Sequence, residues 1–320
     1  MSNYRLSDPA YTNLLATQFN TLTPDNDLKW TAVEPSQGDW HFEAAEADLA
    51  FANSHQMEFW GHNLIYNEDQ YTPSWVRSID DPVQLRSAME TWIRTVVDHF
   101  KGRIHRWVVV NEPILPALTG GQTLFEKKLG PNWMDWCFQV AHQADPKAEL
   151  WLNEYGTEWL PGGVQAYANL VNGMKARKIP VYGASIKLHL LGYGTLYRDR
   201  LLQQMKLFAA QGVKTAFTEV DVPLTPPQDS TLFQRQADTY ARIMSTCLTT
   251  KNCQEVTTWG LDDAHTWLDH QSWVRSPSTP LMFDNNLAPK PAFTSVQSCL
   301  ARAAMKATRR AGKLPACLGW

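Results

Sequence analysis

The run IHRWVVVNE at residues 104–112 decides the fold. It is short, rich in β-branched and aromatic residues, and breaks off in two polar residues, which reads as a buried strand ending in a loop. Six further runs of this kind are spaced along the chain: ATQFNTLT (16–23), MEFWGHNLI (57–65), AELWLNEY (148–155), VYGASIKLHL (181–190), KTAFTEVDV (214–222) and EVTTWG (255–260). Between them lie amphipathic stretches near 43–56, 83–99, 132–144, 163–178, 198–211, 232–250 and 290–308. Several carry helix-start signals, such as Asp81-Pro82 and Pro131. Strand and helix alternating this often predict an α/β fold with a parallel sheet closed into a TIM-type (β/α)8 barrel, spanning residues 1–320 as one catalytic domain. An open doubly wound sheet of this size would carry a glycine-rich nucleotide loop, and neither GxGxxG nor GxxxxGK[ST] is present.

The strand count falls one short of eight. The segment YRLSDPAYTNLL (4–15) reads as a helix with Ser7 as N-cap and Pro9 just inside it, and a strand should precede it. The expectation is therefore seven strands and eight helices. Either the first strand lies upstream of this chain, or a gap between first and last strands must be covered. An uncovered edge would favour a dimer; otherwise a monomer is expected.

Bulk composition excludes several function classes. The 320 residues carry a net charge of -3, with no basic footprint for nucleic acid and no apolar segment long enough to cross a membrane. The five cysteines show no zinc spacing, so neither metal nor cofactor is expected. Cys247 and Cys253 are close enough to bridge one helix-to-strand turn, Cys299 and Cys317 are a weaker pair, and Cys137 is left as a buried thiol. An oxidising compartment fits these bridges, so the protein is expected outside the cell or in the periplasm, although MSNYRLSDPA has no signal-peptide core. Fourteen tryptophans hint at sugar stacking, but core packing accounts for more than half of such residues.

In a barrel of this kind the reactive groups stand at the C-terminal ends of the strands. Those ends supply Asn20, His62, Asn111-Glu112, Asn153-Glu154-Tyr155, His189, Glu219 with Asp221, and Trp259. Glycosidic cleavage needs two carboxyl groups flanking the anomeric carbon. Glu112 follows the apolar WVVV, which should raise its pKa as an acid requires, and Glu219 ends TAFTE three strands later.

These residues resemble glycoside hydrolase family 10, the endo-β-1,4-xylanase family. FNTLTPDNDLKW (19–30) is similar to that family's F-N-x-x-T-P-E-N-x-M-K-W, EPSQGDWHF (34–42) to E-P-x-x-G-x-F-x-F, and GHNLIY (61–66) to G-H-x-L-V-W. WVVVNE (107–112), LWLNEYG (150–156), GASIKLHL (183–190), TEVDV (218–222), TTWGLDDAHTW (257–267) and SPSTPLMFDNNLAPKPAF (276–293) follow in the family's order. The resemblance implies a retaining xylanase acting on a polysaccharide or oligosaccharide, with Glu112 as acid/base and Glu219 as nucleophile. It places Lys29, His62, Asn111, His189, Trp259 and Trp267 around the sugar nearest the cleaved bond, and Asp25 and Asn26 one sugar further out. Tyr66, Tyr155 and Lys187 are expected to line the same site, and the Cys247–Cys253 pair matches a disulfide seen in many members.

Departures from the family pattern cluster at the site. Its Trp-His becomes Tyr66-Asn67, the following Glu68-Asp69-Gln70-Tyr71 is about two residues longer than usual, and the Gln of S-Q-S-H becomes Lys187. Period-two alternation turns Lys187 and His189 to the barrel interior, where a lysine requires a carboxylate partner. Glu219 is the first candidate, with Glu154 or Asp221 the structural alternative. Two other readings stay open: a non-xylan or decorated glycoside as substrate, as for the family's tomatinases, and a catalytically impaired carbohydrate-binding barrel. The presence of Asn111 and both glutamates argues against the second.

Overall fold

The computed structural model describes residues 1–191 and 196–310. Seven strands form one parallel sheet in chain order: β1 (Thr21–Leu22), β2 (Glu58–Tyr66), β3 (Arg106–Asn111), β4 (Glu149–Tyr155), β5 (Gly183–His189), β6 (Thr215–Asp221) and β7 (Cys253–Thr258). Among the described residues, eight helices of ten or more residues alternate with them, from Pro9–Gln18 to Pro291–Arg310. The result is a nearly closed (β/α) barrel whose first and last strands do not pair with each other.

Local chemistry sets the boundaries. Asp81 caps the helix Pro82–His99, accepting from the Val83 and Gln84 amides at 2.7 and 2.9 Å with Pro82 in the first turn. At the N-terminus the expected cap moves by one residue. Ser7 ends a 3-10 turn (Asn3–Ser7), and Asp8 caps Pro9–Gln18 by accepting from the Ala10 and Tyr11 amides. That helix also takes the first residues of the expected strand 16–23, leaving β1 only two residues long. Pro131 stands just before the helix Trp133–Ala144, where a helix-start signal belongs.

Tryptophan is mostly a packing residue here, and Trp30, Trp60, Trp92, Trp107, Trp133 and Trp151 are all buried. Trp107 and Val109 of β3 face the helices, whereas Val108 joins Trp60, Trp151 and Ala216 in a small separate cluster. Gly183 makes room for this cluster, since a Cβ there would lie 2.1 Å from the Trp151 ring. At the strands' N-terminal ends Arg106 spans two carboxylates, donating to Glu149 at 3.0 Å and Glu255 at 2.8 Å, while Trp60 Nε1 also donates to Glu255. This ties β2, β3, β4 and β7 across the barrel floor.

The open side lies between β1 and β7. Every residue of β5 and β6 is buried, but β7 is half-exposed along most of its length. Met1 and Ser2 line the groove there together with Thr21, Val256 and Trp259, and the Met1 carbonyl accepts from the Asp25 amide at 2.8 Å. A disulfide joins Cys247, near the end of helix Ser230–Thr249, to Cys253 at the start of β7. Cys137 is buried and free, and the Cys299–Cys317 pairing lies outside the described residues. Among the described residues, no helix is long and apolar enough to cross a membrane.

Candidate active site

Both glutamates singled out in the sequence stand at C-terminal strand ends with left-handed backbone, φ 56° at Glu112 and 53° at Glu219. A non-glycine residue pays for that conformation with about 1–3 kcal/mol of strain, and such residues concentrate at functional sites. The neighbouring ladders shift register, between Val108 and Val110 on the β3–β4 pairing and between Phe217 and Val220 on β6–β7. Strand bulges of this type re-aim side chains at the end of a sheet. The Glu112 amide donates to the Asn153 carbonyl at 2.7 Å, which fixes the turn.

Lys187 joins the two carboxylates. Its Nζ lies 2.7 Å from Glu112 Oε1 and 3.2 Å from Glu219 Oε2, and all three side chains are buried. Placed end to end, these contacts cap the separation of the two oxygens at 5.9 Å. Retaining glycosidases hold their carboxyl groups about 5–5.5 Å apart and inverting ones about 6.5–9.5 Å, so the bound favours retention. The sequence led to Glu219 as the partner of Lys187; the structure adds Glu112 as the nearer one. Glu154, an alternative partner, instead accepts from the backbone amides of Ile114, Leu115 and Tyr155, securing the loop after Glu112. Asp221, the other alternative, is engaged by His189 and Trp267.

The surroundings of Glu112 are not the apolar pocket suggested by WVVV. The Tyr66 hydroxyl donates to Oε1 at 2.9 Å, the same oxygen that meets Lys187. Tyr66 stacks on Tyr71 at 4.1 Å, and Lys29 sits over the Tyr71 ring at 4.7 Å while donating to Asn26 at 2.7 Å. Asn67 reaches the Glu112 and Pro113 carbonyls. Burial raises the Glu68 carboxyl, and the nearby Glu112 charge pushes the same way.

On the other side, Glu219 accepts from Asn153 Nδ2 at 2.7 Å and lies 3.1 Å from His189 Nε2. His189 Nδ1 is 2.7 Å from Asp221, which also accepts from Trp267 Nε1. Burial opposes charge on His189, but Asp221 and Glu219 outweigh it and bring the imidazole to about 9. Burial would likewise raise Glu219, yet Lys187 and His189 hold it well below the ordinary carboxylate range. His62, 5.2 Å from the Trp259 ring, is driven down to about 3 by burial despite the Glu219 charge, so it stays neutral. Tyr155 and Trp267 flank His189 at 5.9 and 4.9 Å.

Most of the expected residues thus converge. Asn26 is exposed and contributes through Lys29, and half-buried Asp25 lies beside the open groove. Sequence reasoning placed Asn153 at a strand end but gave it no role. It is a hub, donating to Asn111 and Glu219 and accepting from Ser185 and Thr218 at 2.7 and 2.6 Å. This hub leaves the Asn111 Nδ2 atom buried with no hydrogen-bond partner among the described residues.

A model of glycosyl hydrolase family 10 matches residues 1–299. The chain belongs to glycosyl hydrolase family 10. Enzymes of this family are retaining glycoside hydrolases, in keeping with the spacing of the two carboxylates. The chain is 34% identical over 298 residues to endo-1,4-beta-xylanase C of Phanerodontia chrysosporium, covering 92% of this chain and 73% of that one. Native xylanase 10B from Thermotoga maritima is 28% identical, with a TM-score of 0.88 over 95% of this chain and 93% of that one. Xylanase 10B from Thermotoga petrophila, solved in complex with xylobiose, is 28% identical with a TM-score of 0.86, covering 93% and 91% of the two chains. In this family 10 enzyme both strand-end glutamates meet at the barrel mouth, one on each side of Lys187.

Proposed function

We propose that this chain is an endo-acting β-1,4-xylanase in which Glu219 attacks the anomeric carbon and Glu112 serves as acid and then base. The observation that carries the reading is the pair of buried carboxylates whose Lys187-facing oxygens, Glu112 Oε1 and Glu219 Oε2, lie no more than 5.9 Å apart. Glu219, kept ionised by Lys187 and His189, has the charge state of a nucleophile. In this reading the amide of Asn111, which has no partner among the described residues, donates to a sugar hydroxyl, and Trp259 and Trp267, beside His62 and His189, wall the ring. The similarity to xylanases supports xylan as the substrate class, and the disulfide supports work outside the reducing cytoplasm.

Incubation with xylan, xylo-oligosaccharides and aryl β-xylosides tests this. The intact protein is expected to release products that initially keep the β configuration. Glu219→Ala is expected to abolish turnover and to be rescued by azide with an α-glycosyl azide as product. Inverted products, or no turnover of any xyloside by the intact protein, would overturn the assignment.

A further inference from the structure

A retaining glycosidase needs its acid protonated when the leaving oxygen departs. Here the Lys187 ammonium, at 2.7 Å, and the Tyr66 phenol, at 2.9 Å, both donate into one oxygen of Glu112. Lys187 therefore holds exchangeable protons in direct contact with the carboxyl group that must deliver one. Glu112, just past the end of β3, and Glu219 of β6 touch that ammonium, and Tyr66 of β2 lies 3.5 Å away. Beyond them its field reaches Glu154 and Tyr155 of β4, Glu68 and Tyr71 after β2, and Lys29 and His62. Burial disfavours charge on Lys187, but the two flanking carboxylates prevail and hold it well above the ordinary lysine range.

We propose that Lys187 stores the proton that Glu112 delivers, so that lysine and glutamate act together as the acid. The inference rests on the roles assigned above to Glu112 and Glu219. In the first step an electron pair of the Glu219 carboxylate forms the bond to the anomeric carbon. The bond to the leaving oxygen breaks, and that oxygen keeps the pair and takes a proton through Glu112. Lys187 supplies that proton and becomes a neutral amine, while Glu112 ends ionised. In the second step water bonds to the anomeric carbon, Glu219 departs as a carboxylate, and the proton lost by water returns through Glu112 to Lys187. Nothing is oxidised or reduced.

The contact with Glu219 supplies the timing. Two negative charges hold the proton on Lys187 in the resting enzyme, and nucleophilic attack consumes one of them by turning it into an ester. The ammonium becomes more acidic at the step that needs its proton. An arginine could occupy the same space between two carboxylates but could not release a proton.

The test compares a phenyl β-xylobioside, whose leaving group needs a proton, with a 2,4-dinitrophenyl β-xylobioside, which does not. With the phenyl substrate the basic limb of kcat/KM in the unaltered enzyme is expected above about pH 8. Lys187→Gln is expected to lower that limb by at least about 1.5 pH units, since a glutamine bonds to Glu112 without supplying a proton. Lys187→Arg keeps the charge between the carboxylates and is expected to cut phenyl turnover on the order of 10²-fold, with a far smaller loss on the dinitrophenyl substrate. A basic limb near pH 6 in the unaltered enzyme, or equal losses on both substrates in Lys187→Arg, would overturn the proposal. Glu219→Ala separates the two levels of inference: turnover retained without azide removes the glutamate assignment and Lys187 with it. Azide rescue alongside an unmoved Lys187→Gln profile removes only the role of Lys187.

Discussion

The barrel sets a cation between two carboxylates at each end, half-buried at the floor and buried at the mouth, and the two clusters are built for opposite ends. At the floor Arg106 spans Glu149 and Glu255, with Trp60 and Thr257 completing the hydrogen bonds to Glu255. At the mouth Lys187 spans Glu112 and Glu219. The floor guanidinium is planar, matches its partners through separate nitrogens and keeps its proton at any working pH. The mouth ammonium is a point charge that can change protonation state. Backbone differs too: only the mouth glutamates sit at positive φ. The floor ties four strands together, whereas the mouth accumulates backbone strain and buried charge.

This contrast can be broken deliberately. The largest effect is expected from Glu219→Gln, which keeps the shape and removes the charge: kcat/KM should fall on the order of 10⁵-fold while thermal unfolding shows the barrel intact. Removing the floor cation should do the reverse. Arg106→Met leaves Glu149 and Glu255 facing each other and should cost roughly 2–4 kcal/mol in denaturant unfolding, less than a fully dry pair because Arg106 keeps 20% exposure, with kcat/KM unchanged at low denaturant. An unfolding midpoint that does not move would show that the floor cluster is not structural.

Smaller effects sharpen the comparison. Asn153→Ala removes the link between Asn111 and Glu219 and is expected to lower kcat on the order of 10²-fold with little change in KM, since it misplaces the nucleophile without removing it. NMR titration should find the His189 imidazole changing charge near pH 9 and His62 only near 3. Because His189 is raised in the fold, its contribution to stability is complete below the unfolded value of about 6.5 and is lost as pH rises through about 9. His189 titrating near 6.5 in the intact protein would remove Asp221 and Glu219 as its partners.

Much of this was legible in the sequence because strands advertise themselves locally. Runs such as WVVV and TAFTE mark the sheet, their polar ends mark the mouth, and alternation turned Lys187 inward. The errors arise where one residue's role depends on distant ones. ATQ (16–18) belongs to a helix whose last turn the Phe19 amide closes on the Leu15 carbonyl, and whose first turn Asp8 caps one residue later than Ser7. Glu112 as a partner of Lys187 was invisible because β3 and β5 are not neighbours in the sheet and meet only through side chains crossing the interior. The hub at Asn153 draws on β3, β4, β5 and β6 together, a junction that no single segment encodes. Nor does sequence signal the left-handed backbone at the two glutamates, since neither position is occupied by glycine or asparagine.

The disulfide at the start of β7 acquires a mechanical meaning from the open groove beside that strand. Cys253 is stitched to the helix end, β6 holds one flank, and the other flank has no strand partner among the described residues. Such a strand works as a leaf clamped at its root, with its compliance concentrated at the tip that carries Trp259. Amide protection should then decline from root to tip.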